Sequence, residues 1–173
     1  MSPARAAWRW VALVVVAGAV VALDQWTKSW AQASLGLRAR RHIVGPAYFV
    51  LTYNRGAAFS LGNGASPVIE ALAVVLAAAV VWLSGRLATG RGNLAMVVGF
   101  GLVSGGALSN LADRFARHHD GAVVDFIQLV SWWPVFNVAD AAITVGAVTI
   151  AITFLFFSGP SGLQGATTKE GTS

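Results

Sequence analysis

Four long apolar runs, at residues 10–23, 67–83, 94–112 and 135–157, dominate the chain. The hydrocarbon core of a bilayer is about 30 Å thick and takes roughly 20 apolar residues wound as a helix, since only a helix or a closed barrel satisfies its own backbone polar groups away from water. Four such helices need roughly 80 residues by that measure. The runs therefore predict an all-α integral membrane protein, a single domain over residues 1–157 with four transmembrane helices and small extramembrane parts. Composition agrees, because 56% of residues are hydrophobic and only 11% charged, against about 25% charged in soluble domains. Residues 158–173 are rich in Gly, Ser and Thr without apolar periodicity and are expected to form a disordered tail.

The chain has no Cys, which excludes disulfides and thiol chemistry. A net charge of +5 suits contact with anionic lipid headgroups, and so little charged surface argues against nucleic-acid binding. The first run follows Arg5 and Arg9 and has the form of an uncleaved span or of a secretory signal peptide, with Ala31-Gln32-Ala33 where cleavage would occur; Asp24, Gln25 and Lys28 break the usual signal layout and favour the span. Trp26 and Trp30 fit an interfacial belt. Asp24 and Lys28, four residues apart, share a helix face and pair either at the helix end or within a site.

Residues 36–66 form the longest polar section. Aromatic and β-branched residues at 48–53 suggest strands, and Asn54, Gly56, Gly62 and Gly64 favour turns, so this section is expected to be a small β-containing region, either lying on the membrane or holding a substrate. The third run ends in GLVSGGALSNLADR, whose small residues permit close helix approach and whose Gly106, Asn110, Asp113 and Arg114 fall on one stripe at separations of three or four, apart from the adjacent last two. In the fourth run Asn137 and Asp140 are three apart, again on one face. Trp132 and Trp133 precede them as expected interface anchors.

Successive spans alternate direction, so Asp24 at the end of the first, Glu70 at the start of the second, Asp113 at the end of the third and Asp140 at the start of the fourth all fall on one membrane side. The loop carrying Asp125 emerges there too. Positive charge does not orient the chain, because five of the twelve Lys and Arg lie on the other side and seven on this one. A carboxylate at membrane depth is costly and usually functional. Two close carboxylates share a proton, which leaves one as base and one as acid for adding water to an amide. Asp125 and Asp140 are the expected pair, with carboxyl oxygens about 3 to 6 Å apart if they share a water. Ser104 and Ser109 with Lys28 are weaker nucleophile candidates, and His42, His118 and His119 stand at no recognised metal spacing, so no metal or cofactor is expected. An ion-coupled transporter or channel subunit is the alternative, but it would spread polar groups along a path through the bilayer.

DQWTK at 24–28, NRGAAFS at 54–60, GGALSNLADR at 105–114, VVDFI at 123–127 and FNVADAAI at 136–143 together resemble the lipoprotein signal peptidase family, also called signal peptidase II. The resemblance implies a bacterial inner-membrane aspartyl endopeptidase that cuts diacylglyceryl-modified prolipoproteins just before the lipidated cysteine. It also implies cytoplasmic termini, an active site near the outer leaflet and inhibition by the cyclic peptide globomycin. Carried onto matching positions, Asp125 and Asp140 are the catalytic pair, Asn54, Gly56, Asn110, Arg114 and Asn137 bind substrate or order the site, and Asp24, Lys28, Gly106 and Asp113 support it. Ser109 stands where the family often has Gly, and Ala141 where it often has Ser.

Overall fold

The structure, a computed structural model, describes residues 3–37, 39–55, 82, 94–117 and 121–157. In chain order these form α1 (Pro3–Ser34), β1 (Arg40–Val44), β2 (Ala47–Asn54), α2 (Leu94–Ala116), β3 (Val123–Gln128) and α3 (Val138–Phe157). Among the described residues three helices are long and apolar enough to cross a membrane, at Ala7–Ser34, Leu94–Ala116 and Val138–Phe156. The expected second span at 67–83 lies outside the described residues apart from Trp82, as do Gly56, Glu70 and the tail at 158–173. The chain is mostly helical, and the expected small β-containing region is a three-stranded antiparallel sheet of order β1-β2-β3.

Helix α1 buries Leu13, Ala17, Val20, Asp24, Lys28 and Ala31, a single stripe with steps of three or four. Trp8, Val11, Val14, Val15, Leu23 and Trp26 on the remaining surface are exposed, as expected of a helix that meets lipid on its outer side. Helix α2 packs against both other helices, and small residues let it do so. A Cβ added at Gly105 would lie 2.7 Å from the Ala17 carbonyl oxygen of α1, and one at Gly106 would lie 2.5 Å from the Ala139 carbonyl oxygen of α3. Two adjacent residues therefore bring two different helices to backbone contact. The apolar half of the bundle is filled by Leu13, Val97 and Phe100, with Ile150 packed against them.

The segment with Asp125 is strand β3 rather than the loop its sequence suggests. Its residues are nearly all buried, so VVDFIQ lacks the in–out alternation that marks a half-exposed strand. Strand β2 supplies its hydrogen bonds, with Thr52 opposite Asp125 and Asn54 opposite Val123. One sheet face packs Leu51, Val124 and Phe126 onto Ala31 and Leu35 at the end of α1. Trp30 packs into that seam, its ring meeting Phe49 at 5.1 Å and Phe126 at 6.3 Å, both edge-on. Trp26, by contrast, is exposed. After β3 the chain turns and Phe136 returns to pair with Ile127, N to O at 2.9 Å in both directions. This return delivers the start of α3 to the side of Asp125.

Candidate active site

Asp125 points away from the Val124–Phe126 face, and Asn54 reaches it diagonally across the strand pair, Nδ2 donating to Oδ2 at 3.0 Å. On the opposite side Asn137 caps α3. Its Oδ1 accepts the Asp140 N–H at 2.9 Å, and Asp140 Oδ2 accepts the Asn137 N–H at 3.3 Å. This reciprocal pairing is a capping box in which Asn and Asp stand for the commoner Ser and Glu. The same cap residue also reaches the other acid, since its Nδ2 donates to Asp125 Oδ1 at 2.6 Å and lies 3.2 Å from Asn110 Oδ1. Asn110, from α2, donates its own Nδ2 to Asp140 Oδ1 at 2.9 Å. Each of the four carboxylate oxygens therefore receives an N–H donor, and Asn137 is bonded to both acids.

The Asp125 carboxyl, which lies in the sheet outside the spans, is pushed from its ordinary 3.8 up to about 7. Burial is the main cause and the charge of Asp140 the second; hydrogen bonds from Asn54 and Asn137 and the ammonium of Lys28 pull the other way. A carboxyl with that value carries a proton across much of the neutral range.

Behind the pair lies a second polar layer. Lys28 is fully buried and its Nζ meets Asp24 Oδ2 at 2.7 Å, Asp113 Oδ2 at 2.8 Å and Asn110 Oδ1 at 2.9 Å. The two readings of Asp24 and Lys28 thus resolve to a pair inside the protein, joined by Asp113 of a second helix. Ser109, at the position where the family often has Gly, donates to Asp24 Oδ2 at 2.7 Å and accepts from Gln25 Nε2 at 3.0 Å, so the extra hydroxyl is bonded on both sides. Gln25 also donates to Asp113 Oδ1 at 2.7 Å, and Arg117 meets the same oxygen at 3.0 Å through Nε. Sequence reasoning missed Gln25 and Arg117 as members of this cluster. Arg117 stands four residues after Asp113, a spacing that could have flagged it.

The remaining sequence candidates divide. Gly106 sets the α2–α3 contact at the turn carrying Asp140. Arg114 donates to the Gly121 carbonyl at 2.8 Å, where Gly121 takes the left-handed φ of 73° that lets the chain turn into β3. His42 bonds the Gly45 carbonyl in the β1–β2 turn, while His118 and His119 lie outside the described residues. Among the described residues no cluster of His, Asp and Glu is arranged to hold a metal.

The family model described as signal peptidase (SPase) II matches residues 16–156. The chain belongs to the signal peptidase II family. It is 44% identical over 160 residues to a lipoprotein signal peptidase of Pseudomonas syringae pv. tomato, covering 86% of this chain and 85% of that one. A lipoprotein signal peptidase of Mycobacterium avium is 38% identical over 148 residues, with 83% and 79% covered. Two solved bacterial membrane enzymes share the fold, one at TM-score 0.73 and 23% identity over 93% of this chain and 94% of that one, the other at 0.70 and 27% over 84% and 93%. Signal peptidase II membership makes this membrane-embedded protein a protease, and every motif quoted from the sequence falls within the matched residues.

Proposed function

We propose that the chain is an aspartyl endopeptidase of the bacterial inner membrane that removes signal peptides from diacylglyceryl-modified prolipoproteins, cutting immediately before the lipidated cysteine. The observation that carries the reading is Asn137, which donates from its side chain to Asp125 and from its backbone to Asp140. One residue thereby holds two acids from different elements together in a buried setting. Asp125, titrating at about 7, holds the shared proton, and Asp140 is the base. Asp140 takes a proton from water as the water oxygen bonds to the scissile carbonyl carbon, and Asp125 gives its proton to the carbonyl oxygen. Collapse of the resulting diol breaks the C–N bond; one diol proton returns to Asp125 and the proton on Asp140 passes to the leaving amine. Both acids end as they began.

Asn54, Gly56, Asn110, Arg114 and Asn137 order the acids or bind the substrate backbone in this scheme, with Asp24, Lys28, Gly106 and Asp113 in support. A lipidated substrate suits the setting, because its acyl chains remain in the bilayer while its peptide reaches the sheet at the rim. The termini then face the cytoplasm and the acids the outer leaflet, and a globomycin-type cyclic peptide competes for the same cleft. The test is cleavage of a purified diacylglyceryl-modified prolipoprotein in detergent or proteoliposomes. Turnover is expected to fall by at least about 10³-fold in Asp125→Asn and in Asp140→Asn. Retention of turnover in either variant overturns the assignment of that acid.

A further inference from the structure

The charged layer behind the acids has a regularity that support alone does not require. Asp24 Oδ1 accepts the backbone N–H of Ala139 at 2.8 Å, and Asp113 Oδ2 accepts the backbone N–H of Val124 at 3.0 Å. Ala139 immediately precedes Asp140, and Val124 immediately precedes Asp125. The two carboxylates bound to Lys28 thus each grip the amide next to one acid of the pair. The third acceptor on Lys28 is Asn110 Oδ1. An ammonium carries only donors, so it fixes which end of the Asn110 amide faces it and leaves Nδ2 directed at Asp140 Oδ1. Three N–H bonds of one ammonium account for three acceptors, and each acceptor leads by one further bond either to Asp140 or to the residue preceding one of the acids.

Burying three charges does not by itself stabilise a fold; well-packed apolar residues of the same volume commonly do as well or better. The use of such a set lies in fixed geometry. We propose that Lys28, Asp24 and Asp113 form a positioning set that fixes the spacing of Asp125 and Asp140 and the orientation of the Asn110 amide between Lys28 and Asp140. The inference rests on the proposed function for the meaning of that spacing. None of the three touches substrate in this scheme; they act through Ala139, Val124 and Asn110.

Lys28→Met alone leaves Asp24 buried without a cation beside it and can fail to fold. The second variant, Asp24→Asn/Lys28→Met, removes one charge of each sign, leaves Asp113 paired with Arg117 and keeps an oxygen for the Ala139 N–H. Parent and both variants are compared by kcat and KM on a synthetic diacylglyceryl-modified prolipoprotein peptide, by melting temperature in detergent, and by 13C NMR titration of the Asp125 carboxyl. Among the described residues the charged groups around Lys28 are Asp24 on its own helix, Asp113 on α2 with Arg117 behind it, Asp125 on β3 and Asp140 on α3. The double variant is expected to melt within a few degrees of the parent, to lose about tenfold or more in kcat with KM within about twofold, and to titrate Asp125 at higher pH, since Lys28 holds that value down. A kcat within twofold of the parent, or a loss matched by the loss of folded protein, overturns the positioning set. A parent that does not cleave the peptide overturns the proposed function instead, and the Asp125 titration then decides the positioning set on its own: an unmoved value overturns it.

Discussion

Replacing Asp125 by Asn should stabilise the fold while abolishing turnover, and the gain should depend on pH. In the unfolded chain this carboxyl releases its proton near 3.8, but in the folded protein only near 7. Between those values the folded state binds more protons than the unfolded one, so raising the pH favours unfolding. Each unit of difference corresponds to about 1.4 kcal/mol. Between pH 5 and pH 8 the parent should therefore lose about 2 to 3 kcal/mol that the Asn variant does not lose, with the cost complete above pH 7. For a chain of this size that corresponds to about 5 to 10 °C in melting temperature. Some of the gain is offset, because an Asn amide turns one donor toward Asn54 or Asn137, both of which now donate to Asp125, and one mismatched hydrogen bond costs about 1 kcal/mol. That offset does not vary with pH, so the slope is the diagnostic quantity. The assay is thermal unfolding of parent and variant in the same detergent at half-unit steps from pH 5 to pH 8. Parallel melting curves, with the difference between parent and variant independent of pH, would refute the argument that burial and Asp140 hold the proton on Asp125.

Three further outcomes follow from the same geometry. If Asp125 must be protonated to act, kcat/KM should decline above about pH 7, by about tenfold per unit once well past it; a flat profile to pH 9 contradicts that role. Asn54→Leu removes a hydrogen bond that favours the ionised Asp125, so the decline should move to higher pH while the maximum rate falls by about tenfold or more, both read from one set of pH-rate curves. Gly106→Ala should cost several kcal/mol and most activity, because the added methyl meets the Ala139 carbonyl and Ile143; Gly18→Ala, with nothing within 4 Å, should melt within a degree or two of the parent.

Much of the site was legible because helix period and span parity are both counting arguments. Alternating spans place Asp24, Asp113 and Asp140 at one end of the bundle, and Lys28 bridges two of those acids while Asn110 links it to the third. What stayed hidden has physical reasons. Strand β3 is buried on both faces, so its sequence shows an apolar run where a half-exposed strand would show alternation. Lys28 looks like half of a helix-end pair because the second carboxylate, Asp113, comes from a residue 85 positions away (113 − 28). Trp30 follows Trp26 by one helical turn and by sequence alone fits the same belt, yet the sheet folds over it while Trp26 stays outside. Gln25 and Arg117 are polar residues just past the ends of apolar runs, where solvent is the ordinary partner, and only the approach of α1 and α2 gives them to each other.

The return of Phe136 onto Ile127 has an implication for biogenesis. Asp125 and Asp140 sit on opposite sides of that crossing, one in the sheet and one on α3, with Asp24 of α1 holding the residue before Asp140 and Asp113 of α2 holding the residue before Asp125. A chain in which α1 and α3 have yet to meet lacks the bond from Asp24 to the Ala139 N–H. Under the proposed function, proteolytic competence therefore requires α1, α2, the sheet and α3 to be in place together.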